Sequence, residues 1–166
     1  MMARRSRGSD ARAVFQVAVS GGGTCTPAVA SQATILGEAL ADLGAVIICG
    51  GLGGVMEGVA RGARQRGGTV VGVLPGYELG SGNRFLSVRV PTGLGHGRNV
   101  LVAAAGDVLV AFPGGAGTLS EIALALKLRR PVIGVGTWGH IAGVDEVRDV
   151  VVAVERLRAL IPQRGT

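Results

Sequence analysis

The sequence predicts an α/β fold: a single domain in which a doubly wound parallel sheet carries helices on both faces. Short and almost entirely apolar runs alternate with longer segments of helical periodicity, which is typical of strands buried on both sides. Three glycine clusters, at 21–23, 50–54 and 114–117, each follow one of the apolar runs. Any one of them could be only a tight turn. Because the carboxyl ends of parallel strands share one edge of a sheet, we expect the three together to form a ligand pocket.

Length and composition restrict the classes of protein that need to be considered. The chain has 166 residues, which suits one domain. We expect that domain over residues 13–161, between a basic tail at 1–12 and a short tail at 162–166. Two cysteines, Cys25 and Cys49, make neither a disulfide framework nor a zinc site, so we expect a reducing, cytoplasmic setting and no bound metal. No apolar run is long enough for a membrane span.

The net charge of +6 does not by itself indicate nucleic acid as a partner. The positive residues are spread over the tail and the predicted helices, without a compact basic stripe or aromatic stacking platforms. A small phosphorylated ligand needs far fewer charges, so we expect a ligand of that kind instead.

The first half of the chain predicts three strands and two helices. Thr26 as N-cap and Pro27 as first helical residue start the first helix, and Gly44 follows its end. A second helix runs from Val55 to about Arg66. The strands are expected at 13–20, 45–49 and 69–74.

The second half predicts a polar loop at 76–84, a candidate lid over the pocket, and then further alternation of strands and helices. The strands are expected at 85–90, 107–112 and 131–135. The helices are expected at 98–105, 119–128 and 144–160.

The stretch Pro113–Glu121 has the order strand, glycine-rich turn, helix, which is typical of an anion site. Glycines let backbone N–H groups approach a phosphate, and a helix N-terminus adds partial positive charge. The spacing matches neither the Walker pattern nor GxGxxG. We expect Glu121 within the first turn of the following helix, where a carboxylate beside a phosphate is a first indication of chemistry.

That helix has apolar residues on two sides, which predicts cover on both. One stripe holds Leu119, Ile122, Ala123 and Leu126. The opposite stripe holds Leu124, Ala125 and Leu128, with Glu121 among them. If the sheet covers one side, a second subunit would cover the other, so we expect a homodimer with Glu121 near the interface. The alternative is cover by another helix of the same chain.

Four segments carry a resemblance to a known family. They are Gly50–Glu57, Val70–Pro75, Gly97–Asn99 and Pro113–Glu121. Over about residues 14–160 the chain resembles the LONELY GUY family and its wider group of Rossmann-type nucleotide-binding proteins, most closely the molybdenum-cofactor-carrier-like branch. The last segment matches the PGGxGTxxE motif in full. Many such proteins were once labelled lysine decarboxylases, but a pyridoxal enzyme needs a Schiff-base lysine. The one lysine here, Lys127, is placed on the outside of a helix.

The resemblance implies a reaction and a set of site residues. The enzymes of the family release the base from AMP or cytokinin nucleoside 5′-monophosphates and leave ribose 5-phosphate. By resemblance, Glu121 and Arg98 match the catalytic pair, and no cofactor is required. A carboxylate can stabilise the oxocarbenium character of the ribose, and an arginine can hold phosphate or ribose oxygens. The remaining phosphate- or nucleotide-binding residues would be Gly21, Gly22, Gly51, Gly53, Met56, Glu57, Pro113, Gly114, Gly115, Ala116, Gly117 and Thr118.

Departures from the enzyme pattern keep a second function open. Where the enzymes have MHxRK, this chain has Gly95-His96-Gly97-Arg98-Asn99, and where many have paired glutamates it has Ser120-Glu121. The phosphoribohydrolase is the leading hypothesis. The alternative is a binder or carrier, without catalysis, of a phosphorylated cofactor such as molybdenum cofactor. Plainer roles also exist, because Glu57 and Glu121 could each serve a helix N-terminus and Arg98 could be a surface charge.

Overall fold

A computed structural model describes residues 14–161. The tails predicted at 1–12 and 162–166 lie outside the described residues. Within 14–161 the chain forms seven strands and five helices, with short 3₁₀ turns at Leu79–Ser81 and Gly95–Arg98. The strands are β1 (Gln16–Ser20), β2 (Val46–Cys49), β3 (Thr69–Leu74), β4 (Val88–Pro91), β5 (Val108–Ala111), β6 (Val132–Val135) and β7 (Val144–Val147). The helices are α1 (Pro27–Asp42), α2 (Val55–Gln65), α3 (Asn99–Ala105), α4 (Ala116–Lys127) and α5 (Val150–Leu160).

All seven strands are parallel, in the order β4-β3-β2-β1-β5-β6-β7. The predicted doubly wound α/β fold is therefore confirmed. The direction of strand addition reverses between β1 and β5, and ligands of open α/β sheets bind at such a switch point. The three strands that precede the glycine clusters, β2, β1 and β5, are neighbours there.

Helices cover both faces of the sheet. α1, α2 and α5 pack on one face and α3 and α4 on the other. β1 shows the alternation, because Val17 and Val19 point into the first core while Ala18 points into the second. α1 and α2 lie very close together, since a Cβ at Gly62 would come within 1.9 Å of the Thr34 carbonyl oxygen.

The predicted start of the first helix is confirmed. The Thr26 side chain accepts a hydrogen bond from the Val29 N–H at 3.3 Å, and Pro27 is the first helical residue. In the described part of the chain, no helix is long and apolar enough to cross a membrane.

The helix predicted at 144–160 is wrong in its first part. Val144–Val147 forms β7, an edge strand paired with β6, and α5 begins only at Val150. Asp149 is the N-cap, with its side chain accepting from the Val152 N–H at 3.0 Å. The prediction failed because the outer edge strand keeps Asp145 and Glu146 exposed, so it lacks the continuous apolar run of a central strand.

The helix predicted at 119–128 begins earlier, at Ala116. Gly115 is the extended N-cap, and the small residues that follow it take helical geometry instead of prolonging the loop. Glu121 therefore lies in the second turn, and the first turn of α4 contains no acidic residue. The expected position of Glu121 in the first turn was wrong.

The two apolar stripes of α4 also need correction. The side that packs on the sheet holds Thr118, Glu121, Ile122 and Ala125, whereas Leu119 and Ala123 of the predicted first stripe are exposed. Glu121 faces the interior of its own chain, because the side of α4 that packs on the sheet includes polar residues as well as apolar ones. The homodimer itself stays a prediction.

Candidate functional site

The loop at 21–23 joins the other two glycine clusters at the carboxyl edge of the sheet. The Gly22 N–H donates to the Pro113 carbonyl oxygen at 2.9 Å, and the Val55 N–H donates to the Gly22 carbonyl oxygen at 3.1 Å. A Cβ at Gly54, where φ is +60°, would lie 2.2 Å from that same oxygen. The structure thus brings together the three clusters that the sequence predicted to converge, and backbone contacts leave no room for side chains between them.

The N-terminus of α4 is open to a ligand. Its N-cap, Gly115, provides no side-chain hydrogen bond, and the first intrahelical bond runs from the Leu119 N–H to the Gly115 carbonyl oxygen at 3.0 Å. The N–H groups of 116–118 precede that bond, and the residues from Pro113 to Gly117 are exposed. Free N–H groups and the helix dipole at an exposed terminus are suited to an anion.

Arg98 and Glu121 form a buried ion pair beneath this terminus. Arg98 Nη1 lies 3.3 Å from Glu121 Oε1, and the two side chains are only 10% and 8% exposed. The Ser20 hydroxyl, at the end of β1, donates to Glu121 Oε2. Both carboxylate oxygens therefore have partners within the chain.

A polar network connects this pair to the α4 terminus. Arg98 Nη1 donates to Asn99 Oδ1, and Asn99 Nδ2 donates to the Ser120 hydroxyl at 2.8 Å. Ser120 in turn donates to the Gly117 carbonyl oxygen at 2.7 Å, in the first turn of α4. The geometry of Arg98 is thereby coupled to the backbone of the anion-binding turn.

The second glycine cluster makes room for the arginine. A Cβ at Gly50 would lie 2.5 Å from Arg98 Nη2 and 2.8 Å from the Met56 sulfur. Met56 is buried, so it packs beside the guanidinium and does not line the open edge. Arg98 Nε is buried and has no hydrogen-bond partner among the described residues.

Burial controls the ionisation of Glu121. Loss of solvent raises the pKa of its carboxyl above the ordinary value, while the Ser20 hydroxyl and the Arg98 charge act in the opposite direction. Burial also raises the pKa of the neighbouring Cys49 thiol to about 12, which makes that cysteine an inert core residue.

The remaining predicted residues fall into two groups. Gly51 has φ +76°, and a Cβ there would meet the Leu74 side chain at 2.7 Å, so this glycine serves backbone packing. Gly53 immediately precedes Gly54, which lines a cavity of about 380 Å³. Glu57 lines the same cavity, on the α1/α2 side of the sheet. The structure therefore does not bring Glu57 together with Glu121.

The candidate lid loop is tied to the second cluster through Asn83. Its N–H donates to the Gly51 carbonyl oxygen at 2.9 Å, and its side-chain Nδ2 donates to that of Leu52 at 2.9 Å. Asn83 is thus a structural tie between this loop and the glycine edge.

Sequence reasoning missed three polar partners and one aromatic residue. Ser20 and Asn99 contact the buried pair, and Ser120 contacts Asn99. Ser20 carried a signal as a polar residue that ends an apolar strand, and Asn99 and Ser120 lie in segments that the sequence singled out without giving these two residues a role. Trp138 has φ +67° and donates from its indole N–H to the Phe112 carbonyl oxygen at 3.0 Å. This hydrogen bond fixes the start of the Pro113 turn. The two residues are 26 apart in the sequence, so no pattern within a single segment predicts the contact.

Comparison with known families and structures places the chain among known proteins. Residues 14–160 match the model of the SLOG cluster4 family. The molybdenum cofactor binding protein of Rippkaea orientalis is 30% identical with a TM-score of 0.85, covering 90% of this chain and 99% of that one. The molybdenum cofactor carrier protein of Chlamydomonas reinhardtii is 31% identical with a TM-score of 0.82 and the same coverage.

Two relatives are similar in sequence. An uncharacterized protein of Archaeoglobus fulgidus is 45% identical over 114 residues, 69% of this chain and 75% of that protein. The rice (Oryza sativa subsp. japonica) "Probable cytokinin riboside 5'-monophosphate phosphoribohydrolase LOGL9" is 41% identical over 76 residues, which is 44% of this chain and 33% of that protein. The matched region therefore spans about a third of the rice protein. Together with the family match, these similarities confirm the predicted resemblance.

Proposed function

We propose that this chain, which belongs to the SLOG cluster4 family, binds a small phosphorylated ligand and holds the phosphate at the N-terminus of α4. The observation that carries the proposal is the open turn at 113–117, which is exposed and lacks a side-chain cap at Gly115. Backbone N–H groups in such a turn bind phosphate without a lysine. The three glycine loops that meet there allow the ligand close to the backbone.

We propose further that the chain acts as a carrier of its ligand, without catalysis. A phosphoribohydrolase needs a carboxylate in contact with the ribose, but both oxygens of Glu121 are engaged by Ser20 and Arg98. Two solved structures that align over 90% of this chain are those of a molybdenum cofactor binding protein and a molybdenum cofactor carrier protein. Their phosphorylated cargo is of the class that the exposed turn suits.

A nucleoside 5′-monophosphate phosphoribohydrolase is the second candidate. The observation that favours it is the Arg98–Glu121 pair itself, which lies next to the phosphate turn as the resemblance implies. The similarity to the rice protein supports the same activity. In that case the pair would have to open when the ligand binds, so that Glu121 could reach the ribose.

Binding at the turn can be tested by placing a negative charge inside it. A Cβ at Gly117 would meet nothing within 4 Å, so Gly117→Asp fits sterically and Gly117→Ala is its matched control. We expect Gly117→Asp to weaken binding of ribose 5-phosphate by about tenfold or more in calorimetry, equivalent to about 1.4 kcal/mol. Gly117→Ala should bind as the wild type does. Equal binding by both variants would place the phosphate elsewhere.

Turnover separates the two candidates. Purified protein is incubated with AMP and isopentenyladenosine monophosphate, and released base is measured by chromatography beside a Glu121→Gln sample. The carrier proposal expects no release by either protein. Release by the wild type that disappears in Glu121→Gln would overturn it in favour of the hydrolase.

A further inference from the structure

Three hydrogen bonds lead from the buried charge of Arg98 to the peptide group between Gly117 and Thr118. Arg98 Nη1 donates to Asn99 Oδ1, and Asn99 Nδ2 donates to the Ser120 hydroxyl at 2.8 Å. The hydroxyl donates in turn to the Gly117 carbonyl oxygen at 2.7 Å. Together these bonds form the Asn99–Ser120 relay, in which every donor points away from the guanidinium and towards that carbonyl.

The direction of the relay is fixed by the chemistry of its two ends. A guanidinium only donates hydrogen bonds, and a carbonyl oxygen only accepts them. The Asn99 amide must therefore turn its oxygen to Arg98 and its nitrogen to Ser120. Each bond polarises the group that donates the next one, so bonds that run in one direction strengthen each other. The Arg98 side chain is only 10% exposed, so water screens its charge little along this path.

The peptide group at the end of the relay also carries an N–H group of the phosphate turn. The Gly117 carbonyl and the Thr118 N–H belong to one planar amide, so a hydrogen bond to the oxygen makes the N–H a stronger donor. Thr118 is 4% exposed. Among the described residues its N–H has no hydrogen-bond partner, since the first intrahelical bond of α4 begins at Leu119. A buried donor needs an acceptor, and a phosphate oxygen would provide one.

We propose that Asn99 and Ser120 are positioning residues for the phosphate, because they carry the charge of Arg98 to the Thr118 N–H. The inference rests on the proposed function, since it concerns the phosphate held at the N-terminus of α4. It gives the buried arginine an effect on the ligand that needs no direct contact. The ion pair with Glu121 stays closed while the ligand is bound, which is consistent with a carrier.

Calorimetry with ribose 5-phosphate tests the last link of the relay. Ser120→Ala deletes the hydroxyl, and Ser120→Thr is the conservative variant that keeps it. We expect Ser120→Ala to weaken binding about threefold or more, and Ser120→Thr to bind within about twofold of the wild type. Ser87→Ala is the matched control and should bind as the wild type does. It also removes one serine hydrogen bond, in which Ser87 Oγ accepts from the Val70 N–H at 3.0 Å near the start of β3, far from the turn.

Asn99→Leu breaks the relay one bond further from the turn. We expect it to weaken binding of ribose 5-phosphate in the same direction as Ser120→Ala. A protein with both substitutions should bind within about twofold of Ser120→Ala alone, because links of one relay are not additive. Independent local disturbances would instead multiply their effects, and that result would overturn the relay.

The amide resonance of Thr118 reports the polarisation without any ligand. In a proton–nitrogen correlation spectrum of isotope-labelled protein, we expect the Thr118 nitrogen to move upfield in both Ser120→Ala and Asn99→Leu. The reason is that a hydrogen bond to the preceding carbonyl polarises the amide and deshields its nitrogen. Asn99 does not bond to this peptide group, so a shift caused by Asn99→Leu requires transmission through Ser120. Ser87→Ala should leave the resonance in place.

The outcome that overturns the inference differs from failure of the proposed function. If Ser120→Ala binds ribose 5-phosphate as the wild type does while Gly117→Asp loses binding, the phosphate lies at the turn and the relay is wrong. If neither substitution changes binding, the phosphate site itself is wrong and the inference fails with it. Should Asn99→Leu not fold, the contrast between Ser120→Ala and Ser120→Thr still decides, because Ser120 is only partly buried.

Discussion

At the scale of single residues, the candidate site contains one carboxylate that is almost completely buried. Glu121 accepts from Ser20 and pairs with Arg98 at 3.3 Å. Desolvation is the largest influence on its pKa and raises it. A buried pair of this kind favours one defined arrangement of the site, although its net contribution to stability is small or unfavourable.

The raised pKa of Glu121 predicts a pH dependence of stability. The ordinary pKa of a glutamate carboxyl is near 4.5, and the native pKa of Glu121 lies above it. Between these two pKa values the native state binds more protons than the unfolded state. The free energy of unfolding therefore falls as the pH rises through the native pKa. Glu121→Gln cannot titrate at this position. In urea denaturation from pH 4 upward, the stability of the wild type relative to Glu121→Gln should decline by about 1.4 kcal/mol for each unit of pKa shift.

A second variant checks the cause. Ser20→Ala removes the hydroxyl that stabilises the ionised carboxylate, so the decline with pH should extend further than in the wild type. Unfolding free energies of wild type and Glu121→Gln that run parallel across this range would contradict the raised pKa.

At the scale of secondary-structure elements, the end of the chain shows how tertiary pairing changes a boundary. A continuous helix from Val144 would put Asp149 in a helix interior, whereas the structure makes it the N-cap of α5. The two arrangements give opposite expectations for one substitution, since alanine is favourable inside a helix and unfavourable at an N-cap.

Asp149→Ala is therefore a direct test of β7 and α5. We expect it to lower the free energy of unfolding by about 1 kcal/mol, because the Val152 N–H loses its acceptor. Thr26→Ala, at the N-cap of α1, is the matched variant and should cost a similar amount. If urea denaturation showed Asp149→Ala to be more stable than the wild type, the result would contradict the N-cap and support a continuous helix from Val144.

At the scale of the whole molecule, α3 and α4 leave an exposed apolar surface on one side of the sheet. Val100 and Leu101 of α3 and Leu119 of α4 are each about two-fifths exposed, at 42%, 41% and 41%. The homodimer predicted from the sequence would cover this surface, with Glu121 inside its own chain and not at the interface.

Leu119→Asp tests that assembly. We expect sedimentation equilibrium to show the wild type as a dimer and Leu119→Asp as a monomer, because a charge at a buried apolar contact opposes association. Val151→Asp is the matched control, since Val151 is 61% exposed on α5 at the opposite face, and it should remain dimeric. A monomeric wild type, or dimers of both variants, would show that this surface is not the interface.

The sequence alone determined the elements that depend on local chemistry. Central parallel strands are continuous apolar runs, and turns at strand ends need glycine, so the α/β fold and the converging clusters followed from the pattern. Thr26 and Pro27 placed the start of α1 because a helix cap is made by adjacent residues.

Only the tertiary structure decided which side chains meet. Ser20 and Glu121 are 101 residues apart, and the burial of Glu121 against β1 depends on how α4 rotates on the sheet. The separation of Glu57 from Glu121 depends on α2 and α4 covering opposite faces of the sheet. The strand β7 forms because its backbone pairs with the edge of β6. Each is set by packing between segments distant in sequence, where periodicity within one segment carries no information.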